Sequence, residues 1–146
     1  MLRLYMGRAA EDTLQPGERV VIEELRDPIP GNAFLACPTG FCAATAAPAP
    51  EFAISRERLE AAFNDMMAGE TNVVAVEDEP ERHRRVVIQH TPLLRFPDIV
   101  AVEFIAIGAD RSTLAIYSRA RYGKGDFGTN RRRVLRWLDR LKRIAG

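Results

Sequence analysis

The rhythm of hydrophobic and polar positions changes near residue 55. Before that point, chain breakers dominate. Pro16-Gly17, Pro28, Pro30-Gly31, Pro38, Gly40, Pro48 and Pro50 recur at short intervals. Such punctuation predicts a loop-rich arm over residues 1–50, draped on a core carried by residues 51–146. One short strand, Arg19 to Glu23, fits between the breaks, and Ala43 to Pro50 reads as an extended Ala/Pro linker.

From Ser55 the apolar positions take a helical period. Ser55 is placed to cap, Glu57 complements the helix dipole in the first turn, and Gly69 ends the pattern. Leu59, Ala62, Phe63, Met66 and Met67 make one stripe. The methionines read as core filler.

Strand patterns follow. They cover Asn72 to Glu77, Arg84 to His90, Asp98 to Ile107 and Thr113 to Tyr122, with an acidic turn at 77–81 and a hairpin at Gly108 to Arg111. In the last strand, Leu114, Ile116, Ser118, Ala120 and Tyr122 share one face. Ala115, Tyr117, Arg119 and Arg121 share the other, which reads as the wetter one. The chain ends in a helix from about Asn130 to Ile144. Val134, Trp137, Leu138, Leu141, Ile144 and Ala145 form its apolar face, and Arg132, Arg136, Arg140 and Arg143 a solvated one. The expectation is an α+β fold: an antiparallel sheet of about four strands, a helix before it and a long helix after it, both on one face.

Length and composition fit this picture. The 146 residues suit one domain, and 47% hydrophobic with 28% charged residues excludes disorder of the whole chain. The formal charge of +1 conceals an asymmetry. Residues 119–146 hold ten basic and two acidic side chains, a net of +8, and the rest of the chain carries −7. No apolar run approaches the ~20 residues of a membrane span. Met1 to Met6 is apolar but too short for a signal-peptide core.

Chemistry-bearing residues are sparse. No Gly-x-Ser-x-Gly, His-Glu-x-x-His or phosphate-loop motif is present. His83 sits in a charged run and reads as solvated, and His90 reads as a satisfied strand-end histidine. Cys37 and Cys42 have neither redox nor zinc spacing, and the two histidines lack ligand spacing to help them. Two readings stay open: free thiols at a Pro-Gly turn, or a small-loop disulfide formed in an oxidising compartment. No metal and no cofactor are expected.

The most unusual stretch joins the last strand to the last helix. Three consecutive arginines, Arg131 to Arg133, open the helix. Cations there oppose the helix dipole at roughly 0.3–1 kcal/mol each. Two offsets are open. One is an anion pocket lined by Arg119, Arg121, Arg131 and Arg133, with Gly123 and Gly128 giving backbone freedom and Asp126 and Asn130 organising the turn. The other is an internal network in which Asp98 and Asp126 take up the arginines.

Ser118 to Val134 resembles the signature of an uncharacterised bacterial and plastid family, domain of unknown function 1499. The family pattern is approximately S-x-S-R-x-G-x-S-D-x-G-x-N-R-x-R. This chain keeps Ser118, Gly123, Asp126, Gly128, Asn130, Arg131 and Arg133, and either Arg119 or Arg121 fills the family's arginine. It departs at Ala120 and Gly125, where the family usually has serine, which weakens any role for hydroxyl chemistry. Arg95-Phe96-Pro97-Asp98 resembles the family's Phe-x-Asp element. The similarity covers roughly residues 50–143. The resemblance carries no settled activity. It implies envelope association, with a membrane segment ahead of the soluble domain; the apolar Met1 to Met6 edge and a Cys37–Cys42 disulfide would suit that.

Three function classes follow. The favoured one is a non-catalytic, envelope-associated binding or scaffolding module with the arginine-rich site, its partner an unknown protein or anionic ligand. The second is an enzyme using Asp98 and Asp126 as acid and base. Pairing with arginine is expected to lower both pKa values and disable a general acid. The third is binding of nucleic acid or anionic lipid by the basic C-terminal helix; sparse aromatics and the lack of a reading motif weigh against nucleic acid, while a membrane surface stays open as a partner.

Overall fold

A computed structural model describes residues 12–123 and 125–145. The apolar edge at 1–6 and Lys124 lie outside the described residues. The fold is α+β, with two helices on a six-stranded mixed sheet. The strands are β1 (Ala33–Cys37), β2 (Ala47–Pro48), β3 (Val73–Glu79), β4 (Arg84–His90), β5 (Pro97–Gly108) and β6 (Arg111–Ala120). The helices are α1 (Arg56–Ala68) and α2 (Thr129–Ala145). The sheet order is β2-β1-β6-β5-β4-β3. Only β1 and β2 pair in parallel; the other neighbours are antiparallel.

The four strands expected from the pattern form the β6-β5-β4-β3 side of the sheet, and α1 and α2 match their helical stripes closely. Ser55 caps α1 by accepting from the Arg58 amide at 3.2 Å. Gly69 ends it in the right-handed region, so its freedom at positive φ is not used there.

Four expectations need correction. The strand count is six, because β1 and β2 come from the proline-rich region. β1 hydrogen-bonds along β6, with Ala33 opposite Arg119 and Ala36 opposite Ile116. Pro38 and Pro48 sit just after β1 and at the end of a two-residue edge strand, where the missing N–H does no harm. The strand expected at Arg19 to Glu23 is instead a 3-10 turn at Ile22–Glu24.

The face of β6 read as wetter is buried. Ala115 and Tyr117 belong to a second apolar cluster with Ile22, Leu35, Ile88 and Ile99. Leu14, Val20, Leu25 and Ile29 from the N-terminal region pack on that cluster. Both sheet faces are therefore covered: by α1 and α2 on one side, and by the chain ahead of β1 together with the Cys37–Ala46 loop on the other. Finally, Ile144 is 51% exposed: it lies at the edge of the apolar stripe, while Leu141 and Ala145 on either side of it pack on the helix-side core.

The helix-side core sets the position of the site. Phe63 meets Phe104 and Trp137 edge-on at 5.4 and 6.0 Å. Leu59, Met66, Val134 and Leu141 fill around them against Val87, Val100 and Ile116. This fixes the start of α2 over the ends of β4, β5 and β6.

Candidate functional site

Strand alternation decides which polar residues meet at that start. Gln89 on β4 is directly opposite Asp98 on β5, so both face the helices. On β6, Ser118 continues the face of Leu114 and Ile116. Arg133, one turn into α2, reaches down among them. Its Nε donates to Gln89 Oε1 at 2.6 Å, its Nη2 to Asp98 Oδ2 at 2.7 Å, and its Nη1 to Asn130 Oδ1 at 2.7 Å and Ser118 Oγ at 3.3 Å. Ser118 Oγ also donates to Asn130 Oδ1 at 2.5 Å. All of these residues are buried.

Asp126 holds the turn into α2. Its carboxylate accepts from the Gly128 amide at 2.9 Å, the Asn130 amide at 2.9 Å and the Asn130 side chain at 2.7 Å. Gly128 and Phe127 both have positive φ, at 78° and 54°. Gly123, at 87°, turns the chain after β6, where its carbonyl accepts from Asn32 Nδ2 at 2.7 Å. Asn130 Nδ2 donates in turn to the Asn32 carbonyl at 3.1 Å. The Gly128, Thr129 and Asn130 amides are thus taken by Asp126, not left for a ligand.

The network extends away from the junction through Gln89, whose Nε2 donates to Glu70 Oε1 at 3.0 Å. Glu70 also accepts from Trp137 Nε1 at 3.1 Å, from both terminal nitrogens of Arg136 at 2.7 and 3.1 Å, and from Arg140. Arg136 and Arg140, expected to be solvated, share this carboxylate. Arg143 pairs with Asp139 on the same helix.

The predicted site residues do not all converge. Asp98, Asp126, Asn130 and Arg133 form one network on the helix side. Arg119 and Arg121 lie on the opposite side of the sheet. Arg121 grips the Glu18 carboxylate at 2.9 and 3.0 Å and donates to the Thr13 carbonyl; its side chain is 2% exposed. Arg119 donates to the Glu18 carbonyl and stacks near Tyr117. Arg131 is exposed, with its guanidinium 5.9 Å from the centre of the Phe34 ring. A single pocket lined by all four arginines is not formed, because successive residues on β6 and on α2 point to different sides.

Electrostatics also differ from expectation. Burial pushes the Asp98 carboxyl above its ordinary range, and Arg133 only partly opposes this. Burial acts the same way on Asp126, but hydrogen bonds from the Asn130 and Gly128 groups outweigh it and hold that carboxyl low. For Glu70, burial would raise the pKa; the bonds from Arg136, Gln89 and Trp137 outweigh it and bring the value down to about 2. Burial likewise works against Glu18, and Arg121 outweighs it to lower that group.

Above the network lies an open groove of about 520 Å³, between the residues after α1 and the start of α2. Glu70, Asn72, Gln89 and His90 line one part, and Thr129, Arg132, Arg133 and Arg136 the other. Arg132 is exposed; it donates to the Phe127 carbonyl at 2.8 Å. Among the described residues, no carboxylate lies within ion-pair distance of Arg131 or Arg132.

His90 is satisfied at its strand end, with Nδ1 3.0 Å from the Arg95 carbonyl and Nε2 3.0 Å from Asp12. His83 is not free in solvent: its Nδ1 is 2.7 Å from Glu60. His83, Glu57 and Glu60 are the one group among the described residues that could hold a metal ion, their ligating atoms lying within 4.8 Å of one another. Arg56 already contacts Glu57 at 3.5 Å. Cys37 and Cys42 are paired as a disulfide in this structure.

Glu70, Gln89 and Glu18 were missed in the sequence. Each sits in a loop or strand with no local motif, and its partner is far along the chain. The one available signal was chemical: a cluster of arginines needs carboxylates nearby.

The family model described as protein of unknown function (DUF1499) matches residues 35–141. The match thus reaches β1, further toward the N-terminus than the similarity read from the signature. No curated protein matches the chain.

Proposed function

This chain belongs to the DUF1499 family of proteins of unknown function, and on that premise we propose that it is a non-catalytic, envelope-associated binding module that takes an anionic group at the β6–α2 junction. The observation that carries the reading is the pair Arg131 and Arg132. Both stand exposed in the first turn of α2 with no carboxylate partner among the described residues. Cations at that position oppose the helix dipole, and an anion offsets them. The contact is made by the arginine side chains, since Asp126 already occupies the Gly128 and Asn130 amides. Arg132 reaches the groove, while Arg133 beneath it is spent on Asp98, Gln89 and Asn130 and acts as a rigid floor.

A binding role is favoured over acid/base chemistry because Asp98 and Asp126 are both engaged by the network. Binding of nucleic acid along α2 is disfavoured, because Arg136 and Arg140 are occupied by Glu70. Envelope association is supported by the Cys37–Cys42 disulfide, which persists in oxidising compartments. The test is calorimetric titration with inorganic phosphate. Saturable binding that weakens at least about fivefold in Arg132→Gln is expected, the loss of one charge-assisted hydrogen bond. Absence of saturable binding overturns the reading.

A further inference from the structure

The end of the molecule that carries the groove also carries the most exposed apolar side chains among the described residues. The β4–β5 loop and the β6–α2 loop leave the same end of the sheet: His90 is paired with Pro97, Asp98 with Ala120, and the Arg121 amide donates to the Pro97 carbonyl. The first loop presents Leu93, 89% exposed, with Leu94 and Phe96 beside it. The second presents Phe127, 97% exposed, and Tyr122. Phe127 is held in the left-handed region, an uncommon place for a bulky residue, so its outward position is imposed by the turn rather than by local preference.

Charge completes the pattern. Residues 91–96 contain no acidic residue, and Asp126, the sole acidic residue of 121–133, is turned inward onto Gly128 and Asn130. Arg95, Arg131 and Arg132 face outward around the apolar tips. Apolar tips flanked by cations, on two loops that present no solvent-facing carboxylate of their own, match the acyl boundary and phosphates of an anionic bilayer.

We propose that this end of the molecule docks on an anionic membrane surface, with Leu93 and Phe127 entering the acyl boundary and Arg95, Arg131 and Arg132 meeting headgroup phosphates. The proposal rests on the functional reading above only in taking lipid phosphate as the anion met by Arg131 and Arg132; the inserted side chains stand on their own exposure. It commits to a lipid surface rather than a protein partner because the two loops combine protruding tips with a single sign of charge. A peripheral contact of this kind needs no membrane-spanning segment, and no helix among the described residues is long and apolar enough to be one.

The test is cosedimentation of the full chain with vesicles of equal parts phosphatidylcholine and phosphatidylglycerol, against phosphatidylcholine alone. Binding to the anionic vesicles only is expected. Leu93→Ala and Phe127→Ala should each weaken it by about tenfold or more, since each removes a buried side chain's worth of apolar transfer. Both positions are exposed in the free protein, so the thermal midpoint should not move. Ile107→Ala, at the hairpin on the opposite end, should bind as the parent does. No binding to anionic vesicles, equal binding to both vesicle types, or unchanged binding in both tip variants overturns the proposal. If inorganic phosphate does not bind but vesicle binding still depends on Leu93 and Phe127, the groove reading fails and the docking surface stands.

Discussion

Arg133 and Asp98 meet at 2.7 Å across the strand–helix junction, with side chains 5% and 3% exposed. A buried ion pair of this kind is more valuable for what its loss leaves behind than for its own attraction. Arg133→Met leaves Asp98 buried without its charge partner. It should destabilise the fold by about 3–5 kcal/mol in urea unfolding. The double variant Arg133→Met with Asp98→Leu should recover part of that loss. Equal loss in the single and double variants would show that the pair is not the source.

Asp126 has a different kind of role. Its three hydrogen bonds tie the Gly128 and Asn130 amides and the Asn130 side chain into one turn. Asp126→Ala should cost about 1–2 kcal/mol, as removal of a helix-capping side chain does. The same variant should loosen Asn130 and with it the floor of the groove. Hydrogen exchange of the Asn130 amide is the direct reading: faster exchange with little change at Leu141 is expected, and uniform acceleration would indicate global loss instead.

Glu70 makes stability depend on pH in a stated direction. Its folded pKa of about 2 lies below the ordinary 4.5. A depressed carboxylate stabilises the fold above its unfolded pKa, and that contribution is lost as pH falls through the folded value. Its margin over Glu70→Gln should be on the order of 2 kcal/mol at neutral pH, allowing for screening of the half-exposed Arg136, and should vanish between about pH 4.5 and 2. Asp98, raised by burial, contributes in the opposite sense: its share is present below its unfolded pKa and lost as pH rises through the folded one. Comparing parent and variant at each pH cancels that share. A margin that stays flat through this window contradicts the assignment.

The Cys37–Cys42 bridge closes a loop beside β1, on the face covered by the N-terminal region. Replacing both cysteines by serine should lower stability by about 2 kcal/mol on the chain-entropy account of a short loop. Reduction of the parent should lower its thermal midpoint in the same direction, while leaving the doubly substituted chain unaffected.

What could be read in the sequence had local causes. α1, α2, β4 and β5 announce themselves through periods of 3.6 and 2, Ser55 through capping chemistry, and Asp126 and Asn130 as polar residues at a glycine-rich turn. What could not be read depends on chain segments distant in sequence. Nothing local in Ala33–Cys37 says that it pairs with β6, since its neighbours are prolines and glycines. The burial of Tyr117 follows from Leu14, Val20 and Ile22 arriving on its face. The arginine cluster was legible as a problem, but its solution was not. Glu18 and Glu70 answer Arg121 and Arg136 from 103 and 66 residues away. Of the internal-network reading only the Asp98–Arg133 pair is formed; Glu18 takes Arg119 and Arg121 instead, Asp126 bonds Gly128 and Asn130, and Arg131 and Arg132 have no carboxylate partner among the described residues.

The claim that an anion is met at the start of α2 is tested most directly by the Nε–Hε resonance of Arg132 during titration with inorganic phosphate at low ionic strength. The account predicts a saturable shift at Arg132, a smaller one at Arg131, and none at Arg121 or Arg133, whose guanidinium groups are already occupied. Equal small drifts at all arginines, or a saturable shift confined to Arg121, would contradict it.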